Sequence, residues 1–209
     1  MHAVLKETPF DLSIAEKNLP KPNILLCGEL PVSVDVVDTH SPNRAELEHF
    51  VQHRFQQTHQ ATVTHFMPKL LSLRDNAQQL RAVCGLRHAH QEPLFLERYL
   101  DTPIEQALST HVGCAIPRHQ ILEIGNLAVL EPACIRSLLA SVSVYLHSTD
   151  AKWAVFTGIT SLRNALNKLH MPLHILGEAS IDALPIEERA AWGSYYAHRP
   201  QIMAIARMQ

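Results

Sequence analysis

Apolar and polar positions alternate with a period of two in Val32-Ser33-Val34-Asp35-Val36-Val37, as in a half-buried strand. Ser41, Pro42 and Asn43 then open a helix predicted over residues 44–57. Leu47, Phe50, Val51 and Phe55 mark the inward face of that helix, and Arg54 falls within it. A buried guanidinium requires a carboxylate or a ligand, so Arg54 reads either as half of an internal ion pair or as a site residue. Two strand-like runs, 66–73 and 80–87, flank the polar stretch 74–78 and predict an antiparallel hairpin. Residues 93–100 are aromatic and apolar, and Thr102, Pro103 and Glu105 signal a short helix ending near Ser109. A strand follows from Gln120 to Val129. Ile135, Leu138, Leu139, Val142, Tyr145 and Leu146 then recur at helical spacing. A buried strand at 153–157, an amphipathic helix through Leu162, Ala165, Leu166 and Leu169, and a last strand at 173–176 complete the series. Residues 179–209 contain Trp192-Gly193-Ser194-Tyr195-Tyr196 and end in an apolar tail around 202–205.

This order predicts one mixed sheet with helices on both faces, an α/β fold of the mixed α+β kind. Pro9, Pro20, Pro22 and Pro31 punctuate residues 1–31, which read as an N-terminal arm, and 32–209 read as a single domain.

Composition narrows the function classes. A net charge of −2 with scattered Lys and Arg leaves no basic footprint for nucleic acid. The sequence has neither a secretory signal nor an apolar run of about 20 residues, so a cytoplasmic location is expected. Cys27, Cys84, Cys114 and Cys134 lie far apart and read as reduced, small apolar side chains. Fourteen histidines raise the question of a metal. His49 and His53 have the spacing to share one, yet they fall opposite the apolar face of their helix, and His88 and His90 have no third ligand in view; no metal is expected.

The candidate chemistry lies in residues 121–129, where Glu123, Gly125 and Asn126 interrupt an apolar strand. A glycine inside a strand marks a bulge or a close backbone approach, and a helix starting just behind the strand offers free N–H groups to an anion. The combination suggests an acyl-donor site.

The element order, with a helix springing from the end of the fourth strand, is similar to the GNAT acyltransferase fold. More narrowly, Phe66-Met67-Pro68, Glu123-Ile124-Gly125-Asn126-Leu127-Ala128, the strand 153–157 and Trp192-Gly193-Ser194-Tyr195-Tyr196 resemble the thermostable hemolysin family of bacterial proteins, over roughly residues 32–205. Related acyl-homoserine-lactone synthases are echoed by Gly85-Leu86-Arg87 and by Glu123. Their acidic residues before the hairpin are replaced here by 59–65, which argues against a sulfonium-bearing substrate. The GNAT phosphate loop is usually basic and glycine-rich, whereas 131–136 has no glycine and one acidic residue. The tyrosine that many GNAT enzymes use as acid would fall near Leu166, so Tyr195 and Tyr196 are the replacements considered.

The resemblance implies an N-acyltransferase moving an acyl group from acyl-CoA or an acyl carrier protein, as acyl-phosphopantetheine, to a small amine or amino acid. Glu123 would be the base and Tyr195 the acid, with Arg54 and Arg87 binding the acceptor. Asn126, Leu127 and Ala128 would polarise the thioester, and Ala133, Cys134 and Arg136 would hold the donor phosphate. The alternatives are a core role for Glu123 paired with Arg87 or Arg54, packing roles for Trp192, Tyr195 and Tyr196, and a solvated Arg136. At the level of the whole chain they are direct membrane lysis and a catalytically inactive binding module.

Overall fold

The computed structural model describes residues 33–207, so the expected arm at 1–31 lies outside the described residues. Strand β1 (Ser33–Val37) leads into helix α1 (Arg44–His59), which ends where Gln60 turns left-handed at φ 55°. The hairpin follows as β2 (Lys69–Arg74) and β3 (Leu80–His88), its turn held by Asp75 Oδ1, which accepts the N–H groups of Ala77 and Gln79 at 2.9 Å each. Strand β2 starts three residues later than the apolar run predicts, because Pro68 has no N–H to give to a ladder. The carbonyls of Met67 and Pro68 instead accept the buried Arg44 guanidinium, at 2.6 and 3.2 Å.

After a 3₁₀ turn (Phe95–Tyr99) come α2 (Ile104–Val112), β4 (Ile121–Val129), α3 (Cys134–His147), β5 (Trp153–Gly158), α4 (Thr160–Lys168), β6 (Leu173–Glu178), the short α5 (Ile186–Arg189) and β7 (Gln201–Ala206). The strands form one sheet in the order β1-β2-β3-β4-β5-β7-β6, antiparallel throughout except for the β4–β5 pair. A parallel pair needs a long crossover, and α3 supplies it.

The sequence pattern leads to six strands; the seventh is the tail at 202–205, slotted between β5 and β6. Ile202, Met203, Ala204 and Ile205 are all buried, so this strand carries no alternation to announce it.

Helices α1 and α2 cover one face of the sheet, through Leu47, Val51, Val83 and Ala128 and through Ile104, Leu108, Ile121 and Val155. Helices α3 and α4 cover the other, where Leu138, Val142, Leu146 and Leu166 pack on Leu86, Leu122, Ile124 and Phe156.

Two irregularities in β4 shape the site. Gly125 pairs with Gly85 and Ala128 with Val83, so two residues, Asn126 and Leu127, oppose Cys84. This is a β-bulge, with Asn126 at φ 45°, and it reverses the side-chain alternation beyond it. Glu123 and Gly125 share the α1 face before the bulge, and Ala128 returns to that face after it. In addition, β4 pairs with β5 only over Ile121–Ile124, whereas it stays on β3 to Val129 and β5 stays on β7 to Gly158. The two parallel strands therefore part beyond Ile124.

Candidate functional site

A cavity of about 600 Å³ opens where β4 and β5 separate. Its walls come from β4, the end of α1, the segment 62–67, Phe95 and the segment 187–195.

At its polar end Glu123 is 2% exposed. One carboxylate oxygen accepts the Phe95 N–H at 3.0 Å and the other the Leu96 N–H at 2.8 Å. Arg87 is its cross-strand partner, with Nη1 3.7 Å from the carboxylate. That nitrogen also donates to the Pro93 carbonyl at 3.3 Å, while Arg87 Nε is buried without a hydrogen-bond partner, 3.6 Å from the Glu92 carboxylate. Burial pushes the Glu123 carboxyl up to about 7, against the downward pull of the Leu96 and Phe95 N–H groups and of Arg87.

The turn that grips Glu123 is anchored at its far side. Glu97 accepts the N–H groups of Leu94 and Ile104 at 2.9 and 3.0 Å and pairs with Arg118 at 2.5 Å. Arg118 is held in addition by Glu105 at 2.7 Å and the Ala89 carbonyl at 2.7 Å. The Arg118 hydrogen bonds hold the Glu97 carboxyl down at about 2.

Aromatic side chains roof this end. Trp192 packs on Phe95 and on Tyr195, with ring centroids 5.7 and 5.4 Å apart. Burial pushes the Tyr195 phenol up to about 12, against the downward pull of the neighbouring Thr157 side chain. Tyr196 turns away from the cavity and its hydroxyl meets that of Tyr99. The glycine of the Trp192–Tyr196 motif has a steric reason. Gly193 sits at φ 50°, and a Cβ there would come within 2.1 Å of the His59 carbonyl oxygen. The same carbonyl accepts the Ser194 N–H at 2.8 Å, which docks the roof onto the end of α1. His59 is buried beside Tyr195, its pKa lowered by burial and by His198, and its Nδ1 has no partner.

The glycines of β3 and β4 answer to Met67. A Cβ on Gly125 would meet Met67 Cε at 2.3 Å, and one on Gly85 would meet Met67 Cβ and Asn126 Oδ1, each at 2.8 Å. Asn126 completes the contact: its Oδ1 accepts the Met67 N–H at 2.9 Å and its Nδ2 donates to the His65 carbonyl at 3.1 Å. The Asn126 side chain is thus committed to the segment 65–67.

The other end of the cavity is more apolar, with Leu127, Pro132, Ile135, Leu162 and Ala165 on its walls. A small apolar pocket between α3, α4 and the sheet shares Ile124, Leu127, Phe156 and Leu162 with it and reaches Cys84, Leu138 and Leu166.

Of the expected site residues, Glu123, Tyr195, Arg54, Arg87, Asn126, Leu127 and Ala128 all line this one cavity. Ala133, Cys134 and Arg136 lie outside its lining, because helical spacing turns Ile135 inward and sends its neighbours elsewhere. Arg81, beside Cys134, pairs with Glu131 at 3.1 Å. The ion pair weighed for Arg54 is absent among the described residues: its Nε donates to the Val129 carbonyl at 2.9 Å and its Nη1 to Gln57 at 2.7 Å. The backbone donors of Phe95 and Leu96, together with His59 and Thr157, carry no local sequence signal and are found only in the assembled fold. No group of three or more His, Cys, Asp or Glu side chains among the described residues is arranged to hold a metal ion.

A family model described as thermostable hemolysin matches residues 37–209. No curated protein matches the chain by sequence. Among solved structures, the acyl-homoserine-lactone synthase LasI superposes with a TM-score of 0.56 at 12% identity, over 84% of this chain and 90% of that one. FeeM, an N-acyl amino acid synthase from uncultured soil microbes, gives 0.52 at 11% identity over 83% and 90%. MesI, a CoA-dependent acyl-homoserine-lactone synthase, gives 0.51 at 14% identity over 84% and 89%. At these identities the likeness establishes the GNAT-like fold.

Proposed function

We propose, from the premise that the chain belongs to the thermostable hemolysin family, that its cavity is an N-acyltransferase site. The acyl thioester arrives on a phosphopantetheine arm, as acyl-CoA or on an acyl carrier protein, and passes to a small amine or an amino acid. The observation that carries this reading is Glu123, a buried carboxylate with its carboxyl near 7, beside Arg87 at the parting of β4 and β5. Neighbours of the same fold named as acyl-homoserine-lactone and N-acyl amino acid synthases support it.

In this mechanism Arg87, which lines the cavity beside Glu123, takes the acceptor's carboxylate by charge-assisted hydrogen bonds. Glu123 removes a proton from the acceptor amine, directly or through water, and a general base of this kind contributes on the order of 10²–10⁴ in rate. The nitrogen attacks the thioester carbon, and backbone N–H groups of the bulge at 126–128 receive the developing oxyanion. The C–S bond then breaks as the amide forms. A phenol near 12 is a weaker acid than a thiol of about 8.5, so Tyr195 stabilises the departing sulfur by donating a hydrogen bond while the proton released by the amine completes the thiol.

A second reading, a non-catalytic binding module, draws support from the two backbone N–H groups that already occupy both Glu123 oxygens. Incubation with acyl-CoA, acyl carrier protein and a panel of amino acids and amines separates the two, followed by thiol release and by the mass of the acylated acceptor. Glu123→Gln is expected to lower turnover about 10²-fold or more. The amide keeps one acceptor oxygen, so the loss of one backbone hydrogen bond costs about 1–3 kcal/mol, read in parallel by thermal unfolding. Absence of thiol release with every donor, or full activity in Glu123→Gln, overturns the proposal.

A further inference from the structure

Cross-strand partners inside a sheet normally carry side chains that pack on one another. Gly85 and Gly125 are such partners on β3 and β4, two residues along each strand from the pair Arg87 and Glu123, and the trench they leave is filled from elsewhere. The Met67 side chain lies along it. Its Cβ and Cγ stand 2.8 and 2.9 Å from where a Cβ on Gly85 would go, its Sδ stands 3.1 Å from where one on Gly125 would go, and its Cε is closer still to that point.

A free methionine side chain is flexible, but this one is held. Met67 is buried, its N–H donates to Asn126 Oδ1 at 2.9 Å, its carbonyl accepts Arg44 Nη2 at 2.6 Å, and two strand backbones lie under its thioether. It lines the cavity together with Glu123, Arg87 and Phe95. Side chains alternate along a strand, so the thioether stands in for the missing side chains on the face that carries Glu123 and Arg87, about 7 Å along the strands from them. In the proposed mechanism an amino acid held by its amine at Glu123 and by its carboxylate at Arg87 lies parallel to the Met67 side chain, one row away. On the other side of Glu123 the space is taken, because Leu96 packs there with Ala89 and Ile121. Toward the bulge, where the thioester is received, the wall that a substituent on the acceptor meets is Met67.

We propose that Met67 is the specificity-determining wall of the acceptor subsite, where its thioether limits the size of the substituent on the acceptor's α-carbon. The inference rests on the acyltransferase reading and deepens it: small α-amino acids are the acceptors the site takes best. The two glycines have their reason in the same arrangement, since a side chain at 85 or 125 would displace the wall.

The test compares acceptors that differ in the α-substituent. Glycine, alanine, leucine and phenylalanine are assayed with acyl-CoA and acyl carrier protein donors on wild type, Met67→Ala, Met67→Leu and the double variant Met67→Ala/Gly125→Ala. The ratio of kcat/KM for phenylalanine over glycine is expected to lie below one in wild type, to rise about tenfold in Met67→Ala and to stay close to wild type in Met67→Leu. A Cβ at residue 125 comes back to the place that Met67 Cε leaves, so the double variant should give up part of that gain. Met67→Val, which removes less of the packing, reads the same direction should Met67→Ala unfold. A wild type that prefers phenylalanine, an unmoved ratio in the smaller variants, or equal losses on every acceptor overturns the assignment. If the wild type releases thiol with no donor and any amine, the acyltransferase reading fails and the assignment falls with it; turnover with an unmoved ratio, or with amines other than amino acids alone, removes the role of Met67 and leaves that reading standing.

Discussion

Glu123 shows how one residue can be set by opposing local forces. Its burial favours the neutral acid, while two N–H groups and the Arg87 charge favour the carboxylate, and the balance falls near neutrality. If Glu123 is the base, kcat/KM rises with pH up to about 7 and levels off above it. Because Arg87 pulls that value down, Arg87→Gln should displace the rising limb to higher pH and raise KM for amino-acid acceptors; a pH–rate profile of both proteins checks the direction. An unmoved limb in Arg87→Gln would detach the limb from Glu123. Stability carries the same linkage. A carboxyl raised from 4.5 to about 7 contributes stability that is fully present below pH 4.5 and is lost as pH rises through about 7. Glu97 has the opposite sign. Held at about 2, it contributes stability present above pH 4.5 and lost as pH falls through about 2.

At the scale of elements, the bulge in β4 governs the site. One extra residue at Asn126 reverses the alternation, so Glu123 and Ala128 share a face despite their odd spacing. Asn126→Ala removes two hydrogen bonds to the segment 65–67 and leaves the Met67 N–H and His65 carbonyl unpaired by it. A loss of about 1–3 kcal/mol is expected by urea unfolding, together with faster hydrogen exchange at 65–67. Protection unchanged in that segment would show that the side chain is not its tether. Part of this was legible beforehand. Gly125 inside an apolar strand signalled a close approach, and hydrophobic periodicity located four helices and six strands. The partner was not legible, because Met67 comes from a segment almost sixty residues earlier. Nor was β7, whose run of five apolar residues fits a tail as well as a strand buried on both faces. The start of α3 was misleading for a related reason: a helix terminus is visible in sequence, but which side chains of its first turn face a cavity depends on tertiary packing.

For the molecule as a whole, the site collects residues from α1, β3, β4, β5 and the connection between β6 and β7 around a parting in the sheet. No helix among the described residues is long and apolar enough to cross a membrane. If the proposed chemistry uses fatty acyl donors, its product is an amphiphile, and membrane damage would follow from the product. Dye release from liposomes is therefore expected only when protein, donor and acceptor are present together; release by the protein alone would favour direct lysis.

The seventh strand carries a consequence for the order of assembly. Trp153 must find Ala206 and Phe156 must find Met203, so β5 gains its second neighbour only after a loop of about fifty residues closes. The stretch that bears Trp192 and Tyr195 is strung between β6 and β7, and it is drawn over the cavity as β7 enters the sheet. A chain folded only as far as α4 would have a sheet and a buried carboxylate but an open vestibule. In kinetic terms, if the proposed site is catalytic, its activity should appear in the slowest refolding phase, after most of the secondary structure has formed.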